Sequence, residues 1–125
     1  MAKILIVDDE PQFRRVLHLA LAAQGYDIRE AANGVAALRL MQCEQPDLLL
    51  LDWLMPDIDG LRLCRVIRTL SDVPIILVTS RLDGRSAAMA AGANAYLQKP
   101  FGVEELLAQV LAALTVRTRR PSRKS

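Results

Sequence analysis

Acidic side chains follow two of the most apolar segments of the chain. Asp8 and Asp9 come directly after the run 4–7, and Asp52 follows the run 48–51. Ionised carboxylates within several ångströms of one another repel, and a divalent cation relieves that repulsion. An all-oxygen acidic site without His or Cys suits Mg²⁺ or Mn²⁺ and does not suit zinc. The sequence therefore predicts a divalent-metal site, provided that both runs end at the same place in the fold.

Two more groups with useful chemistry follow other apolar segments. Thr79 comes directly after the run 74–78, and Lys99 lies two residues beyond the short run 95–97. A lysine that faces several carboxylates neutralises part of their charge and can hold an anion, to which a neighbouring hydroxyl offers one donor. We therefore expect an anion site beside the metal site.

Bringing these groups together requires an alternating α/β fold. The apolar runs alternate with segments whose apolar residues recur every three or four positions, as in amphipathic helices. The five runs lie at residues 4–7, 26–29, 48–51, 74–78 and 95–97. Most of them lack polar alternation, which is typical of parallel strands covered on both faces. This order predicts a five-stranded parallel sheet with helices on both sides, and such sheets bind ligands at the carboxyl ends of their strands.

Most of these candidates, and the nearby Tyr96, also have a structural interpretation when each is taken alone. An acid before Pro11 could cap the first helix, and Thr79 could form a turn. Lys99 could be a surface residue, and Tyr96 could be a half-buried residue that packs against the core. Asp52 differs, because it interrupts a nearly apolar stretch. An unpaired buried carboxylate is costly, so its position favours a functional role.

Four segments together resemble the receiver domain of bacterial two-component response regulators. They are ILIVDDE (4–10), LLLLDWLMPDIDG (48–60), PIILVTS (74–80) and YLQKPF (96–101). The resemblance covers residues 2–116 and is nearest to the OmpR/PhoB-like group. It implies a flavodoxin-like α/β fold, (βα)5, with strand order 2-1-3-4-5.

The resemblance also implies a role for each candidate. Asp52 would accept a phosphoryl group from a phosphohistidine on a sensor histidine kinase or a phosphotransfer protein. Asp8, Asp9, Asp52 and the backbone carbonyl of Leu54 would hold Mg²⁺ (or Mn²⁺). Lys99 would pair with the phosphoryl group, and a cis peptide bond before Pro100 would aim it inward. Thr79 and Tyr96 would be the switch residues.

The implied function is that of a cytoplasmic signalling switch that assists its own phosphorylation and dephosphorylation but is not a turnover enzyme. Phosphorylation would reposition the face made by the fourth helix, fifth strand and fifth helix. The expected output is transcription, with DNA contacted only through a further domain. The alternative is a free-standing receiver that acts by protein–protein interaction or as a phosphorelay intermediate.

The sequence departs from the OmpR/PhoB-like pattern on that face. Asn94 and Ala95 stand where an acidic pair is usual, and Gln109 and Leu111 lie where arginines are usual. A homodimer held by ion pairs is therefore not expected. The face should instead be apolar, with contributions from Ala87, Ala88, Ala90, Ala91, Ala95 and Leu111.

Composition supports one domain and a separate tail. The 125 residues are 52% hydrophobic and only 4% aromatic, which predicts an aliphatic core. We expect a receiver at 1–116 and, at 117–125, a basic tail or the start of a linker, because that segment has five basic residues and no acid. No apolar run approaches the roughly 18 residues that a membrane span needs, and no secretion signal is expected. Cys43 and Cys64 are expected to be buried, reduced thiols.

Three other functions fit the sequence less well. A haloacid-dehalogenase-type phosphotransferase needs an acid two residues after its nucleophile, where this chain has Leu54. A flavodoxin-like flavin module needs a first loop rich in Ser, Thr and Gly, and the loop DDEP here would repel phosphate. A degenerate receiver that serves only as a scaffold would lack phosphorylation residues, and all of them are present.

Overall fold

The computed structural model describes residues 1–119, in which five strands alternate with five helices. The strands are β1 (Lys3–Val7), β2 (Asp27–Ala31), β3 (Leu48–Asp52), β4 (Ile75–Thr79) and β5 (Ala95–Gln98). The helices are α1 (Pro11–Ala22), α2 (Gly34–Glu44), α3 (Gly60–Leu70), α4 (Arg85–Ala90) and α5 (Val103–Arg119). The expected alternation is confirmed, and the strand ends differ from expectation by one or two residues.

All five strands are parallel and pair in the order β2-β1-β3-β4-β5. The predicted flavodoxin-like topology is therefore confirmed. Residues of β3 and β4 are buried without exception, as are four of the five residues of β1. This double-sided burial is why these three runs show no polar alternation.

Alternate strand residues divide the core into two layers. Leu5, Leu49 and Ile75 face the side covered by α2, α3 and α4. Ile4, Leu48 and Ile76 face the side covered by α1 and α5. Each is at most 1% exposed, so truncation to alanine should cost about 2–5 kcal/mol through lost burial and the cavity left behind.

Side-chain caps begin two of the helices. The Asn33 side chain accepts a hydrogen bond from the Ala36 N–H at 2.8 Å, and the Asp59 side chain accepts one from the Arg62 N–H at 2.8 Å. The first helix begins differently, because Glu10 precedes Pro11 and its side chain makes no cap hydrogen bond. The Glu10 side chain therefore does not cap α1, and the Asp8 carboxylate accepts a hydrogen bond from the Glu10 N–H and not from a helical N–H.

Three expectations about individual residues need correction or extension. Cys64 is buried but Cys43 is exposed, so the prediction of two buried thiols is wrong for Cys43. Ala88 and Ala91 are 0% and 4% exposed and pack in the core, so they do not contribute to an exposed apolar face. Ala88 lies on the inner side of the short α4, and Ala91 directly follows that helix.

The last helix extends beyond the expected domain boundary. The backbone of α5 continues to Arg119, three residues past residue 116. The rest of the expected basic tail, residues 120–125, lies outside the described residues, and the division at residue 116 stays a prediction. Within residues 1–119 no helix combines the length and apolar character that crossing a membrane requires.

Candidate functional site

Three carboxylates meet at the carboxyl edge of the sheet. Strands β1 and β3 pair with Val7 opposite Leu51, so Asp8 emerges beside Asp52. One carboxylate oxygen from each of Asp8, Asp9 and Asp52 lies within 4.8 Å of the other two. Asp8 and Asp52 are 2% and 7% exposed, whereas Asp9 is exposed. The site is therefore an acidic pocket with two buried carboxyl groups and a third that is exposed to solvent.

The pocket disfavours its own negative charge. Burial raises the pKa of Asp52 to about 6, and the nearby Asp8 carboxylate adds to the rise, while Lys99 opposes it. Burial also raises the pKa of Asp8, although the Glu10 N–H lowers it by donating to Asp8 Oδ1 at 2.9 Å. A cation at this edge would relieve both effects. The donor set of carboxylate oxygens fits a hard divalent ion such as Mg²⁺.

Lys99 faces this pocket from the end of β5. Its Nζ lies 3.8 Å from Asp52 Oδ1, and its side chain is 24% exposed. The Lys99 backbone N–H donates to the Thr79 carbonyl at 2.8 Å, which ties it to the end of β4. The expected cis peptide bond between Lys99 and Pro100 is confirmed.

Thr79 and Tyr96 meet at one residue of the loop between β4 and α4. Thr79 is 2% exposed, and its Oγ1 accepts a hydrogen bond from the Arg81 N–H at 3.2 Å. Tyr96 is 5% exposed, and its hydroxyl donates to the Arg81 carbonyl. The two expected switch residues are thus joined through the backbone of Arg81.

The segment that follows Asp52 is held by close packing. Its Gly60 N–H donates to the Trp53 carbonyl at 2.6 Å, and a Cβ at Gly60 would lie 2.2 Å from the Asp52 carbonyl oxygen. Only glycine permits this approach. The Leu54 N–H hydrogen-bonds the Asp52 carboxyl and lowers its pKa, and the Leu54 side chain is 59% exposed.

Comparison with known proteins identifies this arrangement. The family model described as "Response regulator receiver domain" matches residues 4–111. This chain belongs to the response regulator receiver family. It is 44% identical over 115 residues to the response regulator MprA of Mycobacterium tuberculosis and of Mycobacterium avium, covering 90% of this chain and 50% of each relative. The chain thus spans about half the length of these curated relatives.

Solved receiver structures agree with the fold. A two-component response regulator from Clostridium difficile superposes with a TM-score of 0.89 and 31% identity, covering 96% of this chain and all of that one. The chemotaxis protein CheY4 of Vibrio cholerae gives a TM-score of 0.85 and 31% identity, covering 90% of this chain and 98% of that one. The chain is therefore a receiver domain of two-component signalling, similar to that of the response regulator MprA. Receiver domains bind Mg²⁺ at an acidic pocket, and Asp8, Asp9 and Asp52 form such a pocket here.

Sequence reasoning missed several residues that shape the receiver's site. The guanidinium carbon of Arg81 lies 4.8 Å from the centroid of the Trp53 ring. The Asp57 carboxylate accepts hydrogen bonds from the Gly34 and Val35 N–H groups, at 3.1 and 3.2 Å, and so ties the segment after Asp52 to the start of α2. A sequence signal existed for Arg81, since a Thr two residues earlier often accepts from a backbone N–H. None existed for Asp57, whose partners are more than twenty residues away.

One departure noted on the α4–β5–α5 face has a structural explanation. Asn94 Oδ1 accepts from the Ile75 N–H at 2.8 Å and from the Arg68 guanidinium, so this amide joins β4 to α3. Leu111 is 60% exposed and Met89 is 37% exposed, whereas Ala88 and Ala91 are buried. The exposed apolar area of this face is therefore smaller than the sequence suggested.

Proposed function

We propose that this receiver accepts a phosphoryl group on Asp52 from the phosphohistidine of a sensor histidine kinase or a phosphotransfer protein. A carboxylate oxygen of Asp52 attacks phosphorus, the P–N bond to histidine breaks, and an acyl phosphate forms. The observation that supports this proposal is the pairing of a buried, ionisable Asp52 with Lys99, 3.8 Å away, beside two further acids. This combination provides a nucleophile, an anion partner and a cation site at one edge.

Each side chain then has a stated part in the reaction. Asp8, Asp9, Asp52 and the Leu54 backbone carbonyl would hold Mg²⁺ (or Mn²⁺), which neutralises charge on the transferred oxygens. Lys99 would form an ion pair with the phosphoryl group, and the Thr79 hydroxyl would donate a hydrogen bond to one phosphoryl oxygen. Assistance of this kind accelerates phosphorylation and later hydrolysis without making the domain a turnover enzyme.

We expect the added charge to be sensed through Thr79. Its Oγ1 now accepts from the Arg81 N–H, and turning toward a phosphoryl group would break that bond. Because the Arg81 carbonyl accepts from Tyr96, a shift of Arg81 would reach β5 and α4. This is a two-state element that a new dianion biases.

Phosphorylation is tested with acetyl phosphate and Mg²⁺. The intact mass should rise by about 80 Da, which is one phosphoryl group in place of a proton. Asp52→Asn should abolish the gain, while Asp83→Asn, which removes an exposed carboxylate, should retain it. A gain that persists in Asp52→Asn, or that maps to a Ser or Thr, would refute the assignment.

We further propose that activation promotes a homodimer through α4–β5–α5. The exposed Met89 and Leu111 support an apolar contact, which should resist salt better than ion pairs do. Sedimentation velocity with beryllofluoride, at low and high salt, should show a dimer that Ala90→Glu weakens and that Gln42→Glu, on the remote α2, does not. Loss of the wild-type dimer at moderate salt would mean that ion pairs hold it.

The output of the whole protein also belongs to this proposal. The resemblance of the sequence to the OmpR/PhoB-like group supports transcriptional control through a further DNA-binding domain, and the curated response regulators that the chain matches are about twice as long as the matched segment. A free-standing receiver in a phosphorelay is the alternative, and the reading frame after Ser125 distinguishes the two. The cytoplasmic location expected from the sequence stays a prediction.

A further inference from the structure

The Lys99 ammonium lies close to both the carboxylate of Asp52 and an aromatic ring. Its Nζ is 3.8 Å from Asp52 Oδ1 and 4.2 Å from the centroid of the Phe13 ring. Phe13 belongs to α1. An aromatic face is electron-rich and attracts a cation at this distance. Lys99 therefore has two partners at its ammonium, a charge and a ring.

The Phe13 ring is itself fixed in place. It meets the ring of Phe101 edge to face, with centroids 6.0 Å apart and planes at 77°, a favourable geometry for an aromatic pair. Phe101 lies two residues after Lys99, beyond the cis bond to Pro100. The pair thus joins α1 to the segment that follows Lys99 in the chain.

A lysine needs such support to act at a fixed point. Its four-carbon stem has many rotamers, and holding one of them costs conformational entropy. The ion pair with Asp52 alone fixes only the tip of the side chain. A ring in contact with the ammonium reduces the number of rotamers that Lys99 populates before any phosphoryl group binds. A charge that is already in place stabilises a transition state more effectively than one that must be arranged during the reaction.

We propose that Phe13 is a positioning residue, which holds the Lys99 ammonium over the phosphoacceptor and so sets how effectively Lys99 assists phosphoryl transfer. The kinetic part of this inference rests on the proposed function. The competing interpretation is that Phe13 only fills the core layer under α1, where it is half-buried. The two interpretations predict different results for Phe13→Leu, which keeps an apolar side chain but removes the aromatic ring, and for Phe13→Tyr, which keeps the ring.

The contact itself is tested by NMR on the metal-free protein, without any phosphorylation. The Cε methylene protons of Lys99 should be shifted upfield by the Phe13 ring current relative to those of Lys3, which has no ring contact among the described residues. Phe13→Leu should move them downfield, and Phe13→Tyr should leave them near the wild-type position. Unchanged Lys99 signals in Phe13→Leu would overturn the proposal.

The effect of Phe13 on phosphoryl transfer is tested by the rate of phosphorylation with acetyl phosphate. A cation–π contact at a partly exposed site predicts a loss of roughly three- to tenfold in Phe13→Leu, with Phe13→Tyr restoring most of the rate. In the Lys99→Met background, Phe13→Leu should change the rate by less than about 1.5-fold, since the residue acts through the lysine. Tyr26→Leu is the matched control, because Tyr26 is a half-buried aromatic of the same core layer at the opposite end of the sheet.

The outcomes separate the two proposals. If wild type is phosphorylated on Asp52 but Phe13→Leu matches wild type, or slows the Lys99→Met variant equally, Phe13 is only a core residue and the inference is wrong. If wild type is not phosphorylated, the proposed function fails, and the NMR comparison still decides whether the ring holds the lysine. Circular dichroism melts of all variants exclude loss of folding as the cause.

Discussion

Replacing Asp52 with asparagine should make the metal-free protein more stable at neutral pH, although it removes the proposed phosphorylation site. The carboxylate is 7% exposed and lies beside Asp8 and Asp9, so its charge is poorly solvated and repelled. Asparagine has nearly the same shape and no charge. The free energy of unfolding should therefore rise by the cost of burying the Asp52 charge, reduced by the attraction between Asp52 and Lys99 that the substitution removes.

The size of that cost follows from the pKa. The pKa of Asp52 rises from 3.8 to about 6, and a rise of about two pKa units corresponds to about 3 kcal/mol. Burial is the largest cause of this rise and repulsion from Asp8 is the second, while the attraction to Lys99 is already included with the opposite sign. The expected gain is therefore about 1–3 kcal/mol in the free energy of unfolding.

The gain should depend on pH with a definite sign. Since the pKa of Asp52 is raised on folding, the folded state binds its proton more tightly than the unfolded chain does between pH 3.8 and about 6. The stability that this proton contributes is present at low pH and is lost as pH rises through that window. The difference between Asp52→Asn and wild type should therefore be small near pH 4 and reach its full size above about pH 7.

Urea denaturation followed by far-ultraviolet circular dichroism, with EDTA present, measures this difference at both pH values. Asp83→Asn is the control, because its side chain is 82% exposed and the change should stay within about 0.5 kcal/mol. Adding Mg²⁺ at 100 times its dissociation constant should stabilise wild type by about 2.7 kcal/mol and Asp52→Asn by less. An Asp52→Asn variant no more stable than wild type at neutral pH, or equally stabilised at both pH values, would refute the electrostatic argument.

Two further predictions concern the surroundings of the acidic pocket. The fluorescence of Trp53, the only tryptophan, should change when Mg²⁺ is titrated. Asp9→Ala should raise the Mg²⁺ concentration needed for this change at least about tenfold, because it removes a carboxylate ligand. Calorimetric binding of Mg²⁺ without any change in fluorescence would contradict the geometry. Gly84→Ala should destabilise the fold by about 1–3 kcal/mol, because a Cβ there would lie 2.4 Å from the Trp53 ring and 2.9 Å from the Tyr96 hydroxyl. Gly102→Ala, where nothing lies within 4 Å, is its control in the same urea assay, and equal effects of the two alanines would argue against close packing at Gly84.

The sequence was sufficient to predict the sheet because its strands are unusually uniform. Strands β1, β3 and β4 contain continuous apolar runs, at 4–7, 48–51 and 75–78, and each run is followed by a polar residue that the parallel topology brings to one edge. That topology is also why Asp8, Asp52 and Lys99 could be grouped before their distances were known. The limits of β2 were less clear from the sequence, because its polar and apolar residues are compatible with more than one register. Pairing with β1 selects the register in which Lys3 lies opposite Asp27.

The parts that sequence did not predict are contacts between distant elements. In the sequence Phe13 is one apolar residue of an amphipathic helix, and nothing local indicates that its ring contacts a lysine 86 positions later. The expectation that Ala88 and Ala91 are exposed was also wrong, because a short alanine-rich helix and the residue after it show too weak a periodicity to reveal which alanines face inward. Small side chains carry little directional information, whereas large apolar ones do.

The parallel order of the strands has a consequence for how the chain folds. The site is made from residues at the ends of β1, β3, β4 and β5, so it exists only when most of the sheet has formed. Such long-range pairing forms slowly and late compared with local helices. A ligand that recognises only the finished edge stabilises the native state more than the transition state, and it therefore slows unfolding while leaving the folding rate almost unchanged. Occupancy of this edge would then lengthen the lifetime of the folded chain, and under conditions where cleavage outpaces refolding it would slow proteolysis in the same proportion.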